Sequence, residues 1–420
     1  MGFAKRFMEE VEDQGWYPAE DKWVCVQCVD EPFLASKVKE ASDPEATCSF
    51  CDESSAAELD ILTDAFVRGV KVRYQDANGE LFYDAEEGRY AGRTYDTWDL
   101  VTWEYGHIFA GNGLLEAVRD SVVDMTWSDS HYWHYSPDEE FSAGWRNFCE
   151  AVKHETRYVF WLRKDWREQE HGPDGLPPAE ILGVLGGFID THNLYNTIEV
   201  RDKLWRARTH CEDASSWNAE DLGTAGRDHS KQANRMSPAG MPMFYGAYDK
   251  DTAVRECLVR TADPYVTVGA FQATHAIRVI DLTKDKLPGI PSEFDVERAN
   301  ERFGVLFLHD FVRELNKPVR DSYEQIDYVP TQILTEYLLK VHHQDRDGFE
   351  GLMYTSAVTG KACVVIDVPN GRCIDRDDQI ERYCSDSLYL KFSPDCKETF
   401  KIKRTYEQLP PEDPFSKPEL

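Results

Sequence analysis

The chain has no apolar run long enough to cross a bilayer. Its longest, Ile181 to Ile189, is about nine residues and holds three glycines, where a membrane helix needs roughly 20 apolar residues. Positive charge is also scarce. With 47 Lys and Arg against 77 Asp and Glu the net charge is −30, which disfavours nucleic acid as a partner, because phosphate-backbone binding draws its affinity from clustered Lys and Arg. The opening residues Met1 to Arg6 run into Glu9, Glu10, Glu12 and Asp13. They offer no h-region of a signal peptide, and Arg6 stands where myristoylation wants a hydroxyl. The expectation is a cytoplasmic protein without a membrane partner. Internal repeats and low-complexity segments are lacking too, and the Pro-rich acidic end Leu409–Leu420 reads as a loose tail.

What is present is a globular composition. The 420 residues are 41% hydrophobic, with 11 Trp, 20 Tyr and 21 Phe, too rich in large apolar side chains for a solvated acidic chain and long enough for two or three domains. The 11 cysteines are an odd number without a secretion signal, which argues for reduced thiols and a metal site over a disulfide framework. Four of them form Cys25-x2-Cys28 and Cys48-x2-Cys51, two knuckles 19 residues apart. That spacing lets four thiolates close a tetrahedron around a structural zinc, with no position left for water or substrate.

After the knuckles, residues 56 to about 201 read as mostly helical. A helix is expected from Ala57 to Val72 behind a Ser54-Ser55 cap, with further helices over Gly113–Met125 and Phe141–Leu162. From Leu204 the texture changes to short strands at Tyr265–Ala270, Ala276–Asp281, Gly351–Ser356 and Ala362–Val368, alternating with helices at Asp249–Val259, Val296–Glu314 and Pro330–Val341. The fold class is α+β, with a boundary near 195–205. The expected division is 1–55 with the knuckles, 56–200 helical, 201–395 mixed α/β, and 396–420 as tail.

Two basic islands interrupt the acidic chain: Arg201, Lys203, Arg206 and Arg208, and then Arg227, Lys231 and Arg235. Converging guanidinium groups would hold a phosphate-bearing ligand, while dispersed ones would be solvated surface charge.

The order of Leu204-Trp205-Arg206, Asn234-Arg235 through Phe244-Tyr245, Thr252 through Glu256, Tyr328 through Gln332, and Gly351 through Ser356 resembles the RES domain over roughly 204–390. Members of that family resemble ADP-ribosyltransferases and consume NAD, often as toxins paired with an antitoxin. Upstream, the paired knuckles, Trp133-His134-Tyr135 and Val152–Phe160 resemble the HEPN-like N-terminal domain fused to some RES proteins. The resemblance implies NAD as substrate and a mixed α/β domain of ADP-ribosyltransferase type. It also implies a regulatory or antitoxin protein as partner and a homodimer through the helical domain.

Residue by residue, it makes Arg206 the family arginine, Tyr245 the pocket tyrosine, Glu256 the acid and Ser356 the serine. Arg235 takes the arginine of a Gly-Arg pattern in which Asn234 replaces the glycine. Arg208 is a neighbour able to share the work of Arg206. The chemistry suits these residue types. Breaking the nicotinamide–ribose bond leaves an oxocarbenium-like centre that a carboxylate such as Glu256 stabilises. Arg206 with Arg208 or Arg235 provides cationic forks for a pyrophosphate, Tyr245 a ring and hydroxyl for the ribose, and Ser356 a contact for a hydroxyl or phosphate oxygen.

Each residue has a plainer rival. Glu256 can pair with Arg260 on a helix surface, since at ~100° per residue it lies roughly 130° from the apolar stripe of Ala253, Val254, Cys257 and Leu258, facing solvent or a cleft. Tyr245 can be a core aromatic and Ser356 a strand cap. The Arg and His four to six residues apart that active HEPN nucleases use do not occur before residue 200: Arg167 and His171 are too close, and Arg146–His154 and Arg163–His171 too far apart. The helical region therefore reads as a folding partner, dimerisation element or sensor. Two functions stay open: an NAD glycohydrolase, phosphorylase or protein-modifying transferase, and a catalytically inactive ligand-sensing or interaction module.

Overall fold

The computed structural model describes residues 3–162, 176–212, 214, 216–259, 261–317, 323–343, 348–375 and 387–403. The tail Leu409–Leu420 and the residues Arg163, Arg167, His171 and Arg260 lie outside them. The chain forms two compact units, one from 1–147, 161–181 and 288–311, the other from 148–160, 182–287 and 312–420.

The first unit is largely helical, as the sequence suggests, and carries small sheets as well. A three-stranded sheet (Trp23–Val24, Ser54–Glu58, Asp43–Thr47) and a second one (Tyr74–Asp76, Thr126–Asp129, Thr94–Asp96) flank the helices Leu59–Arg73 and Leu114–Ser121. The expected Ser54-Ser55 cap is a correction: these residues open a strand, Ser55 adopts φ +66°, and the helix starts only at Leu59. The tight Cys48–Cys51 turn makes a hairpin of the two flanking strands, and hairpin pairing overrides the serine cap signal. The helix expected from Phe141 to Leu162 runs from Pro137 to Glu150, continues as a π-helical turn over Ala151–Glu155, and is followed by a separate 3-10 turn at Phe160–Leu162.

Segment 288–311 returns to this unit. The Phe294 ring packs at 5.7 Å from Phe66 and 5.6 Å from Tyr105, and Ser292 Oγ donates to Glu31 Oε1 at 2.8 Å. Leu59, Leu62, Phe66, Leu100, Leu114, Val118 and Trp127 form the buried core beneath.

The second unit is built on a nine-stranded sheet, whose strands are numbered here in chain order: β1 Tyr195–Ile198, β2 Leu204–His210, β3 Phe244–Ala247, β4 Tyr265–Ala273, β5 Ile277–Leu282, β6 Gly351–Thr355, β7 Ala362–Ile366, β8 Cys373–Asp375 and β9 Leu390–Lys401. Their spatial order is β8-β9-β4-β2-β3-β7-β6-β5-β1. Only β5/β6 and β8/β9 pair in parallel. The strands expected near 265, 276, 351 and 362 all form. So do the helices expected at 249–259, 296–314 and 330–341, observed as Lys250–Leu258, Ala299–Leu315 (after a short turn at Val296–Arg298) and Val329–Lys340. Strand β9 continues to Lys401, so regular structure runs past residue 395, where the sequence suggested a tail.

Because side chains alternate across a strand, β2 sends Leu204, Arg206 and Arg208 to one face and Trp205, Ala207 and Thr209 to the other. The first face joins Phe244, Phe271, Phe392 and Leu222 in one core cluster; the second packs Ala207 with Ala247, Ala253 and Val268. Four helices of this unit are used below: α1 Ile181–Thr191, α2 Ala219–Leu222, α3 Lys250–Leu258 and α4 Val329–Lys340.

Candidate functional site

In the first unit the four expected cysteines converge. Cys25 and Cys28 bracket a single 3-10 turn, Cys48 and Cys51 the turn of the hairpin, and their sulfurs lie 3.8 Å (Cys25–Cys28), 3.4 Å (Cys25–Cys51) and 3.8 Å (Cys28–Cys48) apart. Thiolates at ~2.3 Å from a tetrahedral zinc sit ~3.8 Å from one another, so the donor set fits. Burial pushes the thiols of Cys25 and Cys28 up. Burial acts the same way on Cys48, but the backbone N–H groups of Phe50, Cys25 and Cys51 outweigh it and hold that thiol below its ordinary value. Gly111 packs on the cluster: a Cβ there would come 2.8 Å from Cys28 Sγ. Nothing in the sequence around Gly111 points to that role.

In the second unit Glu256 and Ser356 meet. Helix α3 is N-capped by Asp249, whose carboxylate accepts from Thr252 N at 3.0 Å, and docks through Ala253 on the sheet. Glu256, half-buried and one turn on from Ala253, points to the turn after β6. There Ser356 Oγ donates to Glu256 Oε1 and accepts from Val358 N at 3.1 Å and Thr359 N at 3.0 Å. Ser356 is 2% exposed. Its hydroxyl is fully engaged, so it fixes the carboxylate and offers no free proton to a ligand. Among the described residues Oε2 has no partner.

Tyr245 on β3 is held by its hydroxyl, which accepts from Met236 N at 3.1 Å and lies 3.0 Å from Ser237 Oγ. Burial pushes that hydroxyl up to about 12. The turn 234–237 is in turn gripped from the start of α4. Thr331 Oγ1 donates to Arg235 O, Gln332 Nε2 donates to Asn234 O at 2.8 Å, and Thr335 Oγ1 lies 3.3 Å from Met236 Sδ. The Tyr328–Gln332 motif thus acts as a support for Tyr245. Arg235 itself donates to the carbonyls of Leu315 and Lys317, closing the C-terminal end of helix Ala299–Leu315.

Arg206 and Arg208 sit where the sheet opens. Strand β2 pairs with β4 along its whole length but with β3 only at Trp205↔Ala247. Beyond that point Arg206 Nη1 donates to Tyr245 O at 2.7 Å, and its Nε to Leu222 O and Gly223 O, each at 3.0 Å. Arg208 donates to the same two carbonyls. Burial lowers both guanidinium groups; Arg208, beside the charge of Arg206, falls to about 10. Neither makes an ion pair with a carboxylate among the described residues. The break in the ladder also brings Arg206 within electrostatic reach of Tyr245 and Tyr354. Tyr354, whose hydroxyl burial raises first of all, feels Glu256, Tyr245 and Arg235. Tyr354 is therefore a neighbour shared by Arg206, Glu256, Tyr245 and Arg235. It stands two positions before Ser356 on β6, a placement the sequence alone left unmarked. The Arg260 that would pair with Glu256 lies outside the described residues.

The second unit's mixed sheet carries a serine-bound carboxylate and a half-buried arginine pair as a candidate site, and the first unit holds a four-cysteine cluster able to bind a metal. Residues 203–386 match the family model of the RES domain, and residues 41–165 that of HEPN/RES N-terminal domain 1. The chain is thus a RES-domain protein with a HEPN/RES N-terminal domain, placed among the toxin-like, NAD-related RES proteins in general. No curated protein matches it. No helix of the described residues is long and apolar enough to cross a membrane.

Proposed function

We propose that this chain is an NAD-consuming enzyme of ADP-ribosyltransferase type that cleaves the bond between nicotinamide and ribose. Water, phosphate or a protein side chain is the acceptor, and the activity is that of a toxin or defence effector restrained by a protein partner. The observation that carries the reading is the Glu256–Ser356 pair. A serine whose hydroxyl is saturated by two backbone N–H groups holds one carboxylate oxygen and leaves the other for a developing oxocarbenium charge. Arg206 and Arg208 supply the cationic counterpart for a pyrophosphate. Tyr245, whose backbone carbonyl accepts from Arg206, is the aromatic side chain for the ribose.

Glu256→Gln keeps the side chain's shape and removes its charge, so turnover falls far more than NAD affinity. Nicotinamide release by wild type and variant, compared at matched thermal melts, is the test; equal rates would eliminate Glu256 as the catalytic acid residue. The second reading, an inactive ligand-sensing module, draws on the arginines, whose donors Arg206 Nε and Nη1 and Arg208 Nε and Nη2 all end on backbone carbonyls. It predicts saturable NAD binding with no nicotinamide released by wild type. In both readings the four cysteines hold a structural zinc, whose shell they fill.

A further inference from the structure

The structure assigns a second metal site, apart from the cysteine cluster and from the Glu256 region. We propose that Asp190, His342 and His343 bind a divalent first-row transition cation through Asp190 Oδ1 and the two Nε2 atoms.

The three groups come from distant parts of the second unit. Asp190 is on the last turn of α1, and the two histidines follow the end of α4. His342 Nε2 lies 3.0 Å and His343 Nε2 2.8 Å from the same oxygen, Asp190 Oδ1. Ligands bound at ~2.0–2.1 Å and at right angles about a metal sit ~2.9 Å apart, so each imidazole is spaced from Asp190 Oδ1 as a neighbour in one coordination shell, and all three donor atoms lie within 4.8 Å of one another. Mixed imidazole and carboxylate donors suit zinc, nickel, copper or iron rather than calcium or magnesium.

Two further features concern the backbone. Consecutive residues ordinarily send their side chains in different directions. Here His343 adopts φ +62°, a left-handed conformation that costs a non-glycine residue energy. The two rings then meet at 4.2 Å between centroids and turn their Nε2 atoms to one oxygen. Helix α1 makes room for them with a glycine: a Cβ on Gly186 would come 2.9 Å from both Cε1 and Nδ1 of His342. Phe349 and Tyr337 pack beside the rings. The Tyr195 hydroxyl donates to Asp190 Oδ1 and lies 3.4 Å from His343 Nε2. The side chains of His342 and His343 are 9% and 16% exposed and that of Asp190 40%, so a cation would enter from the Asp190 side and keep water in its remaining positions. Bound there, it would tie α1, β1 and the turn after α4 together.

The rival is a hydrogen-bonded cluster, with both imidazoles and Tyr195 donating to one carboxylate and no metal. Titration of untagged, chelator-stripped full chain with Zn²⁺ separates the two. The proposal expects two equivalents in wild type, with His343→Ala and His342→Ala each losing one and weakening residual uptake at that site at least ~10-fold, while Cys48→Ser loses the other. A variant-free measurement guards against misfolding. Wild type first given one equivalent of zinc should take up Co²⁺ with the absorption of nitrogen and oxygen coordination and no thiolate-to-cobalt band. A single equivalent in wild type, a second equivalent that survives His343→Ala in a protein of wild-type melt, or cobalt uptake showing only thiolate ligation would each overturn it.

Discussion

Replacing Ser356 by alanine removes one oxygen atom that serves three partners, which makes it the sharpest probe of the site's construction. The two N–H groups of Val358 and Thr359 lose their acceptor, and Glu256 loses its donor. An orphaned buried polar group costs about 1–3 kcal/mol. Val358 is exposed and Thr359 half-buried, so water replaces part of what they lose, and the expected destabilisation is about 2 kcal/mol in total. For a unit of this size that lowers the melting temperature by ~4–8 °C. A freed Glu256 carboxylate samples more rotamers, so kcat for nicotinamide release should fall while the KM for NAD changes little.

A double-mutant cycle isolates the bond. Ser356→Ala, Glu256→Ala and the double variant, each melted under one condition, should couple by ~1 kcal/mol, because groups in contact do not contribute additively. A Ser356→Ala melt within about 1 °C of wild type, or strictly additive effects, would refute the idea that this hydroxyl builds the turn and fixes the carboxylate.

Other perturbations test the remaining parts. Arg206→Lys keeps the charge but cannot reach Tyr245 O, Leu222 O and Gly223 O together; it should cost about 2 kcal/mol, read by denaturant unfolding, and a neutral result would mean that the opening between β2 and β3 needs no brace. Removing the metal from the cysteine cluster, or Cys48→Ser, should abolish the cooperative melt of the first unit, since structural zinc supplies on the order of 10 kcal/mol of apparent folding free energy. Zinc-free protein with the same melt and unreactive native thiols would contradict this. For Tyr245, burial holds the hydroxyl up to about 12, so the folded chain keeps a proton that the unfolded chain releases from its ordinary value of 10.0 upward. The stabilisation by this hydroxyl is complete below that pH and lost as pH climbs towards 12. The stability gap between wild type and Tyr245→Phe should therefore shrink over that range in melts followed by circular dichroism; a constant gap would show the hydroxyl is not buried.

The parts of this architecture that were legible in the sequence are those encoded locally. Strands at 265, 276, 351 and 362 and the helix at 249–259 declare themselves through Val/Ile/Tyr-rich runs between turn residues and through helical periodicity. The paired CxxC elements fix a tetrahedral donor set by spacing alone. What the sequence did not show depends on long-range pairing. The Ser54-Ser55 cap signal yields to hairpin pairing, and segment 288–311 carries Phe294 back to Phe66 and Tyr105, which no local pattern announces. The Asp190–His342–His343 cluster joins residues more than 150 positions apart through one left-handed backbone residue. Arg206, Arg208 and Glu256 were readable as residue types. Their placement was not, because strand alternation puts the arginines and helix α3 on opposite faces of the sheet, and only the early end of the β2–β3 ladder lets the arginines reach Tyr245.

That opening determines how variants of the site must be read. A guanidinium group that braces two diverging strands and also contacts an anion cannot be deleted without disturbing both roles. Loss of NAD affinity on Arg206→Ala or Arg208→Ala is therefore ambiguous unless the melt is unchanged. Glu256 differs, because Oε2 has no partner among the described residues and the Ser356 hydroxyl that donates to Oε1 can donate equally to the carbonyl of a glutamine. Glu256→Gln thus alters charge at the centre while the turn 356–361 keeps its hydrogen bonds, and a large fall in turnover with a wild-type melt has a chemical cause rather than a structural one. If turnover persists in that variant while Arg206→Ala lowers affinity and stability in proportion, the arginines act as braces, the carboxylate takes no part in the reaction, and the RES unit is a ligand-binding scaffold whose chemistry, if any, is carried by other side chains.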